Sequence, residues 1–239
     1  MRNSLFFCAV IALFSVSCVF DFEKKIKGNG EVTIEERPVS SFDKIRLDGV
    51  FKVFLSQGNT EKVEVEIDGN LQSFVNVYNT GSVLNLDIEK GIHWSKTTKN
   101  NVYITLKNIH ELHIEGVCSV ATHTFLNQDE LQLFINGVSN SFLELNCDQL
   151  SVRMNGVESV ELVGETLRFI AVKDGVGSLN ASDLHANVVD IRNSGVGNAH
   201  TYASEELYMR NSGIGSIYYS GDAIIKLIES DGIGKIHKK

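Results

Sequence analysis

A parallel β-helix, a tube of stacked β coils, is the fold that this sequence predicts. The first observation is a short phrase, glycine then Val or Ile then a small polar residue, that recurs seven times after residue 110. Its glycines lie 18 to 21 residues apart: Gly116, Gly137, Gly156, Gly175, Gly195, Gly213 and Gly232. The second observation is the alternation of apolar residues on both sides of each glycine, which indicates strands. A single repeat cannot bury its own apolar stripe, so the repeats must stack.

The repeat length sets the dimensions of the tube. A coil of about 19 residues has a contour of roughly 60 Å, which is enough to circle a narrow tube and rise about 4.8 Å to the next coil. Parallel crossovers are overwhelmingly right-handed, so a right-handed all-β solenoid with about seven coils is predicted over residues 111–239. Residues 32–110 alternate without the tight period, and we interpret them as a β-sheet region covering the N-terminal end of the tube. Gly49 in this region resembles an earlier corner.

We interpret the repeated glycines as corners. Glycine accepts positive φ angles, which a sharp turn repeated in every coil would need. The Val or Ile that follows is expected to point inward, and the Ser or Asn three residues on to bond the corner backbone or stack on its equivalents. Valine at Gly175 or Gly195 should then cost a few kcal/mol of stability. The same change at Gly164, outside the corner phase, should cost less.

The N-terminus has the pattern of an export signal. Arg2 precedes an apolar run that is too short to span a bilayer, so residues 1–17 are predicted to be a secretory signal peptide. Ser17 followed by Cys18 predicts a lipoprotein cleavage site, with Cys18 lipidated. Residues 18–31 are expected to form a flexible tether, and residues 32–239 a single domain. The expected location is the cell envelope, anchored by lipid to the outer membrane.

Charge and cysteine content exclude several classes of protein. The net charge of −8 argues against a sequence-independent nucleic-acid binder, which needs clustered cations. Cys118 and Cys147 fall at different phases of the repeat and are expected to be buried free thiols. No Cys or His group has zinc spacing, and the glycines lack the spacing of a dinucleotide-binding loop. Neither a metal nor a cofactor is predicted.

Few residues suggest chemistry. His110 and His113 lie three apart on a predicted strand, so they would make a poor metal pair. The adjacent acids Asp129-Glu130 and Glu205-Glu206 fall in return turns and are interpreted as solvated charge. Trp94, in a polar loop, is either a cover for the edge of the core or a platform on which a sugar could stack.

One outward column is a candidate binding site. Arg153, Arg192 and Arg210 share the position three residues before the repeated glycine, and Tyr208 lies two residues before Arg210. Two interpretations remain open. Asp190 could offset the arginines locally across the ladder. Alternatively, the arginines could bind carboxylate or sulfate groups of an acidic polysaccharide while Tyr208 stacks on a sugar.

The segments "FDKIRLDGVFKVFLSQG", "LNLDIEKG" and "NVYITLKN", followed by serial "SGVGN" and "SGIGS" corners, resemble the head GIN domain family. That family comprises autotransporter-type adhesins common among Bacteroidetes lipoproteins, and the resemblance covers roughly residues 36–236. It implies a β-helix-like fold at the cell surface or in the periplasm, and no catalytic residues. The predicted function is therefore a non-enzymatic envelope lipoprotein whose β-solenoid surface serves adhesion, scaffolding or glycan binding. The expected partner is a glycan or a surface protein. The alternative is a carbohydrate-active β-helix enzyme, a polysaccharide lyase or hydrolase.

Overall fold

The computed structural model describes residues 24–239, and strands make up most of that range. Nine strands precede the regular coils: β1 (Lys24–Lys27), β2 (Val32–Arg37), β3 (Lys44–Asp48), β4 (Val50–Gln57), β5 (Lys62–Asp68), β6 (Val75–Thr80), β7 (Val83–Ile88), β8 (Ile92–Lys96) and β9 (Asn100–Leu106). A short 3-10 helix, Gly69–Phe74, separates β5 from β6. No helix between residues 24 and 239 is long and apolar enough to cross a membrane.

Ten further strands build the coils: β10 (Glu111–Ile114), β11 (Val117–Thr122), β12 (Leu126–Ile135), β13 (Val138–Met154), β14 (Val157–Lys173), β15 (Val176–Asn193), β16 (Ala199–Asn211), β17 (Ile217–Ser220), β18 (Ile224–Ser230) and β19 (Ile236–Lys238). Successive coils pair in parallel and in register; β13 and β14, for example, align from Val138–Val157 to Met154–Lys173. The repeated glycines lie at the corners between strands. The predicted β-solenoid of coils of about 19 residues is confirmed, while its right hand stays a prediction.

The N-terminal region forms further coils and a cover. Strands β3 and β4, with the predicted corner at Gly49 between them, pair in parallel with β10 and β11. On their other side, β3 pairs in parallel with β7, and β4 pairs in parallel with β9. The strands nearest the N-terminal end of the tube therefore come later in the sequence than the strands that they cover. Strands β5 and β2 then add antiparallel beyond β9, and β6 adds antiparallel beyond β7. This antiparallel layer covers the N-terminal end of the tube.

The predicted tether is partly wrong. Strand β1 pairs in parallel with β8, and Ile26 within it packs against the core. The Gly30 amide donates a 2.7 Å hydrogen bond to the buried carboxylate of Asp68. Ile26, which lies between two lysines, is the one apolar residue of this strand. Cys18 and the rest of residues 1–23 lie outside the described residues.

The expected inward direction of the post-glycine residue is wrong. At the six corners from Gly116 to Gly213, the residues four and two before the glycine and two and four after it face the core. The alternation therefore passes through the corner unbroken, and the residue after the glycine falls on the outward side. These side chains are 42% to 81% exposed: Val50, Val117, Val138, Val157, Val176, Val196, Ile214 and Ile233. The predicted stacking of polar residues three positions after the glycine is confirmed for Ser159 and Ser178, whose hydroxyls lie 3.3 Å apart in neighbouring coils.

Close approach, rather than positive φ, explains the corner glycines. None of the seven has a φ in the left-handed region. Instead, a Cβ at Gly195 would overlap the carbonyl oxygen of Gly175 in the preceding coil, and the other corners repeat this contact. Gly164 does have a positive φ, +129°, and a Cβ there would overlap the carbonyl of Leu145. The expectation that valine at Gly164 costs less stability than valine at a corner glycine is therefore wrong.

A polar ladder runs inside the later coils, at the position two residues before the glycine. Asn193 donates to Asn211 Oδ1 at 2.9 Å, and Asn211 donates to the carbonyl of Gly215 at 2.9 Å. Lys173 continues the ladder and donates to the carbonyl of Val196 at 2.8 Å. Wherever this position is polar, the residue two after the same glycine is also glycine. A Cβ at Gly177, Gly197, Gly215 or Gly234 would overlap a carbonyl oxygen of the preceding coil.

Candidate ligand-binding surfaces

The arginine column predicted from the sequence lies on the outward side of the strands that precede the glycine corners. Strand pairing places Arg192 and Arg210 in neighbouring coils, whereas Val172 separates Arg153 from Arg192. Arg210 contacts Asp190 at 3.2 Å and, on its other side, Glu229 at 3.3 Å. The column is therefore a local pair of arginines rather than a continuous cationic strip.

Acidic partners balance this pair. Arg192 Nε lies 3.7 Å from the Asp190 carboxylate, which is thereby shared between the two arginines. The Tyr208 hydroxyl donates to Glu206 at 2.9 Å, and this hydrogen bond raises the pKa of Tyr208. Two acids for two arginines leave the surface without excess positive charge, which is the local pairing considered from the sequence. The acidic-glycan role of Arg153, Arg192, Tyr208 and Arg210 stays a prediction.

Replacing Arg192 and Arg210 together by Gln tests that role. Exposed ion pairs each contribute about 1 kcal/mol or less, so the melting temperature should change by only a few degrees. If the arginines grip an acidic polysaccharide, salt-sensitive retention on such a column should disappear in the double variant. Retention unchanged from wild type would contradict a binding role for this pair.

A groove that sequence reasoning missed lies where each coil returns from the post-glycine strand to the next pre-glycine strand. Its volume is about 500 Å³. One wall is the in-register column Asn127, Asn146, Glu165 and His185, and the opposite wall is the column Asp129, Asp148, Leu167 and Asn187. Cys147 and Thr166 form the floor, with the thiol 3.6 Å from the hydroxyl. Asp129, interpreted from the sequence as solvated turn charge, is therefore part of a concave surface.

Several other candidate residues have structural roles. Trp94 packs edge-on against Phe51, with ring centroids 6.3 Å apart, and covers the edge of the core. His113 stacks on Phe134 at 4.5 Å and contacts Glu111 at 3.0 Å. His110 precedes that strand and is exposed. Within residues 24–239 no three His, Cys, Asp or Glu side chains are placed to hold a metal ion.

The two cysteines of the domain are buried free thiols, as predicted. Burial raises the pKa of Cys118 to about 11 and also raises the pKa of Cys147. Because the thiolate is the reactive form, neither side chain is set up as a nucleophile near neutral pH.

Stacked aromatic rings cross the post-glycine strands near the C-terminus. His200, Tyr218 and His237 stack with centroid separations of 4.8 and 5.3 Å. Tyr218, the middle ring, is covered on both faces, whereas His200 and His237 are each covered by a ring on one face. These rings therefore stabilise coil stacking, and a sugar has little free ring face to stack on here.

An ionisable pair lies inside the tube. Glu158 is 3% exposed, and neither carboxylate oxygen has a hydrogen-bond partner among the described residues. Burial raises the pKa of Glu158 to about 7, against the opposing effect of Lys173, which is itself fully buried. Burial likewise lowers the pKa of Lys173. No ligand can reach this pair without opening the coils, so its role is structural.

A tube of stacked parallel coils, with equivalent residues aligned in outward columns, defines the molecule as a β-solenoid. The chain belongs to the family "Putative auto-transporter adhesin, head GIN domain", which matches residues 41–223. This confirms the resemblance seen in the sequence. No curated protein matches the chain.

Solved structures support the same assignment. A putative adhesin from Bacteroides fragilis is 26% identical, with a TM-score of 0.85 over 90% of this chain and 100% of the other. A putative adhesin from Parabacteroides merdae is 23% identical, with a TM-score of 0.71 over 90% and 99% of the two chains. A putative lipid binding protein from Parabacteroides distasonis is 21% identical, with a TM-score of 0.69 over 90% and 100%. The last two establish the fold alone.

Proposed function

We propose that this chain is a lipid-anchored adhesin of the cell envelope that holds glycans on the outward side of its tube without cleaving them. The observation that carries the proposal is the in-register stacking of the coils. It places the side chains of one repeat position about 4.8 Å apart along the tube. Such columns present evenly spaced groups to an extended polymer, and membership of an adhesin family supports a holding role.

Binding without turnover fits the outward acids. Glycoside hydrolysis uses two carboxyl groups facing each other across the scissile bond. Several outward carboxylates of this protein are instead bound to cations: Glu111 to Lys44, Asp190 to Arg210 and Glu206 to Lys226. Incubation with a glycan panel should give retention with no new reducing ends and no unsaturated products. Appearance of either product would favour the polysaccharide lyase or hydrolase alternative.

Anchoring through Cys18 is the second part of the proposal. Lipid on Cys18 would hold the tube at the outer membrane, through the short segment that ends at strand β1. Cys18→Ser should abolish acyl labelling and move the protein from the membrane fraction to the soluble fraction. Cys118→Ser is the matched control, because its buried thiol is not at the export signal. Membrane partitioning of Cys18→Ser equal to wild type would contradict lipid anchoring.

A further inference from the structure

We propose that the groove between the two return columns binds a short stretch of uncharged polysaccharide. This inference rests on the glycan-holding function proposed above and gives it a place and a ligand class. The groove crosses four coils, from Asn127 to His185, a length of about 14 Å at the spacing of parallel strands. It runs along the tube axis, so an extended chain can lie in it across successive coils.

The hydrogen-bonding groups in the groove match sugar hydroxyls. The side-chain amides of Asn127, Asn146 and Asn187 can donate and accept, whereas the carboxylates of Asp148 and Glu165 only accept. A hydroxyl also donates and accepts, so a mixed set of partners satisfies it along the whole groove. The Asn146 amide already donates to Asn127 and the Asn187 amide to Glu205, so each keeps one further N–H, and the Asn127 amide keeps both. A cation would use the acceptors alone and would leave these N–H groups without a partner.

The free capacity of these groups points the same way. Asn146 already joins the wall together: it donates to Asn127 Oδ1 at 3.2 Å and accepts from the Glu165 amide at 3.2 Å. The Asp129, Asp148 and Glu165 carboxylates form no ion pair or side-chain hydrogen bond with the rest of residues 24–239. Their acceptor positions are therefore open to a ligand, in a wall whose shape the amide ladder fixes.

Charge and apolar contacts narrow the ligand class. No Lys or Arg lines the groove, so an acidic polysaccharide would meet only repulsion from its three carboxylates. Two side chains supply apolar surface for the carbon face of a sugar. Leu167 is 56% exposed on one wall, and the His185 ring on the other wall packs at a tilt against Tyr202, with centroids 4.6 Å apart. An uncharged, hydroxyl-rich chain with apolar patches fits both features.

The test measures retention of the purified full chain on short uncharged glucan, mannan and galactan oligosaccharides, at low and high salt. Leu167→Arg should reduce affinity at least tenfold by filling the groove. Asn146→Asp should reduce affinity several-fold, because it removes a donor and adds a fourth carboxylate. Glu161→Gln is the matched control, since Glu161 is an exposed acid of the same coil outside the groove, and it should bind like wild type. Salt should change the affinity little.

Three results would overturn the assignment. If the oligosaccharides are retained and both groove variants bind like wild type, the glycan-holding function survives and the groove is the wrong place. If Asn146→Asp tightens binding to a basic peptide and salt abolishes it, the ligand is a cation rather than an uncharged glycan. If wild type retains no glycan of any charge, the groove and the proposed function both fail. Melting curves must show that each variant is folded.

Discussion

Alanine at Gly195 is expected to lower the free energy of unfolding by about 3 kcal/mol or more, the upper range for overpacking a filled site. The added Cβ would overlap the carbonyl oxygen of Gly175 in the preceding coil. That oxygen cannot move aside freely, because it accepts a 3.0 Å hydrogen bond from the Val196 amide in the parallel ladder. Urea unfolding of the variant and the wild type measures the difference.

The controls separate steric overlap from loss of glycine flexibility. At Gly69 a Cβ would lie 3.3 Å from a Thr33 methyl group and 3.5 Å from the Glu31 carbonyl oxygen, without overlap. Gly69→Ala should therefore change stability by about 1 kcal/mol or less. Gly164→Ala should be as damaging as Gly195→Ala, because it combines a left-handed φ with overlap of the Leu145 carbonyl. Similar small losses at Gly195 and Gly69 would show that the corner can open and that its close packing is not required.

Methionine at Lys173 is expected to destabilise the protein by about 1 to 3 kcal/mol, the cost of leaving buried polar groups without their partner. The change leaves the Glu158 carboxyl buried without its nearest cation. It also removes the donor to Asn193 Oδ1 and to the Val196 carbonyl. Methionine fits the site by shape, since Met154 occupies the same repeat position one coil earlier. Thermal and urea melts at neutral pH give the loss.

A double variant provides the matched control. The coil before Glu158 and Lys173 carries Ser139 and Met154 at the two equivalent positions. Glu158→Ser together with Lys173→Met copies that pair, leaves no buried charge and should recover most of the loss. A double variant no more stable than Lys173→Met would mean that packing volume, rather than the uncompensated carboxylate, dominates the site.

The same pair gives stability a pH dependence. The pKa of Glu158 rises from 4.5 unfolded to about 7 folded, so the folded state holds an extra proton between these values. Stability from this group is full below pH 4.5 and is lost as pH rises to about 7, a change on the order of 3 kcal/mol. Lys173 acts in the opposite sense at alkaline pH, because its lowered pKa makes the unfolded state bind more protons there. The Glu158→Ser, Lys173→Met variant should lose the acidic slope.

The features of the fold that could be predicted from the sequence are the ones that the glycine repeat carries. The glycine spacing fixed the coils, and the single phrase around Gly49 revealed a coil far upstream. The predicted inward direction of the post-glycine Val and Ile is wrong because the alternation of inward and outward residues continues through the corner. The sequence also carries a signal for the polar ladder. A second glycine follows two residues after the corner glycine wherever the residue two before the corner glycine is polar, as with Asn193 and Gly197.

The groove was harder to foresee. Its walls combine Asn127, Asn146, Glu165 and His185, which share a column in space but no common side chain. A register shift between β14 and β15 further breaks the spacing. The corners can therefore be recognised from residue type, because every coil needs glycine where it approaches the backbone of the coil before it. Residue type does not mark the surface, where neighbouring coils are free to differ.

The coil order at the N-terminal end also bears on the order in which the chain folds. Strands β3 and β4 emerge early but lie between partners that follow them in the sequence, β7 and β9 on one side and β10 and β11 on the other. One of their two edges stays unpaired until β10 and β11 have followed, more than sixty residues later, and such long-range closure is slow. Each coil after β11 instead adds to a finished template. We expect this first set of contacts to nucleate folding, with the remaining coils adding to it in order toward the C-terminus.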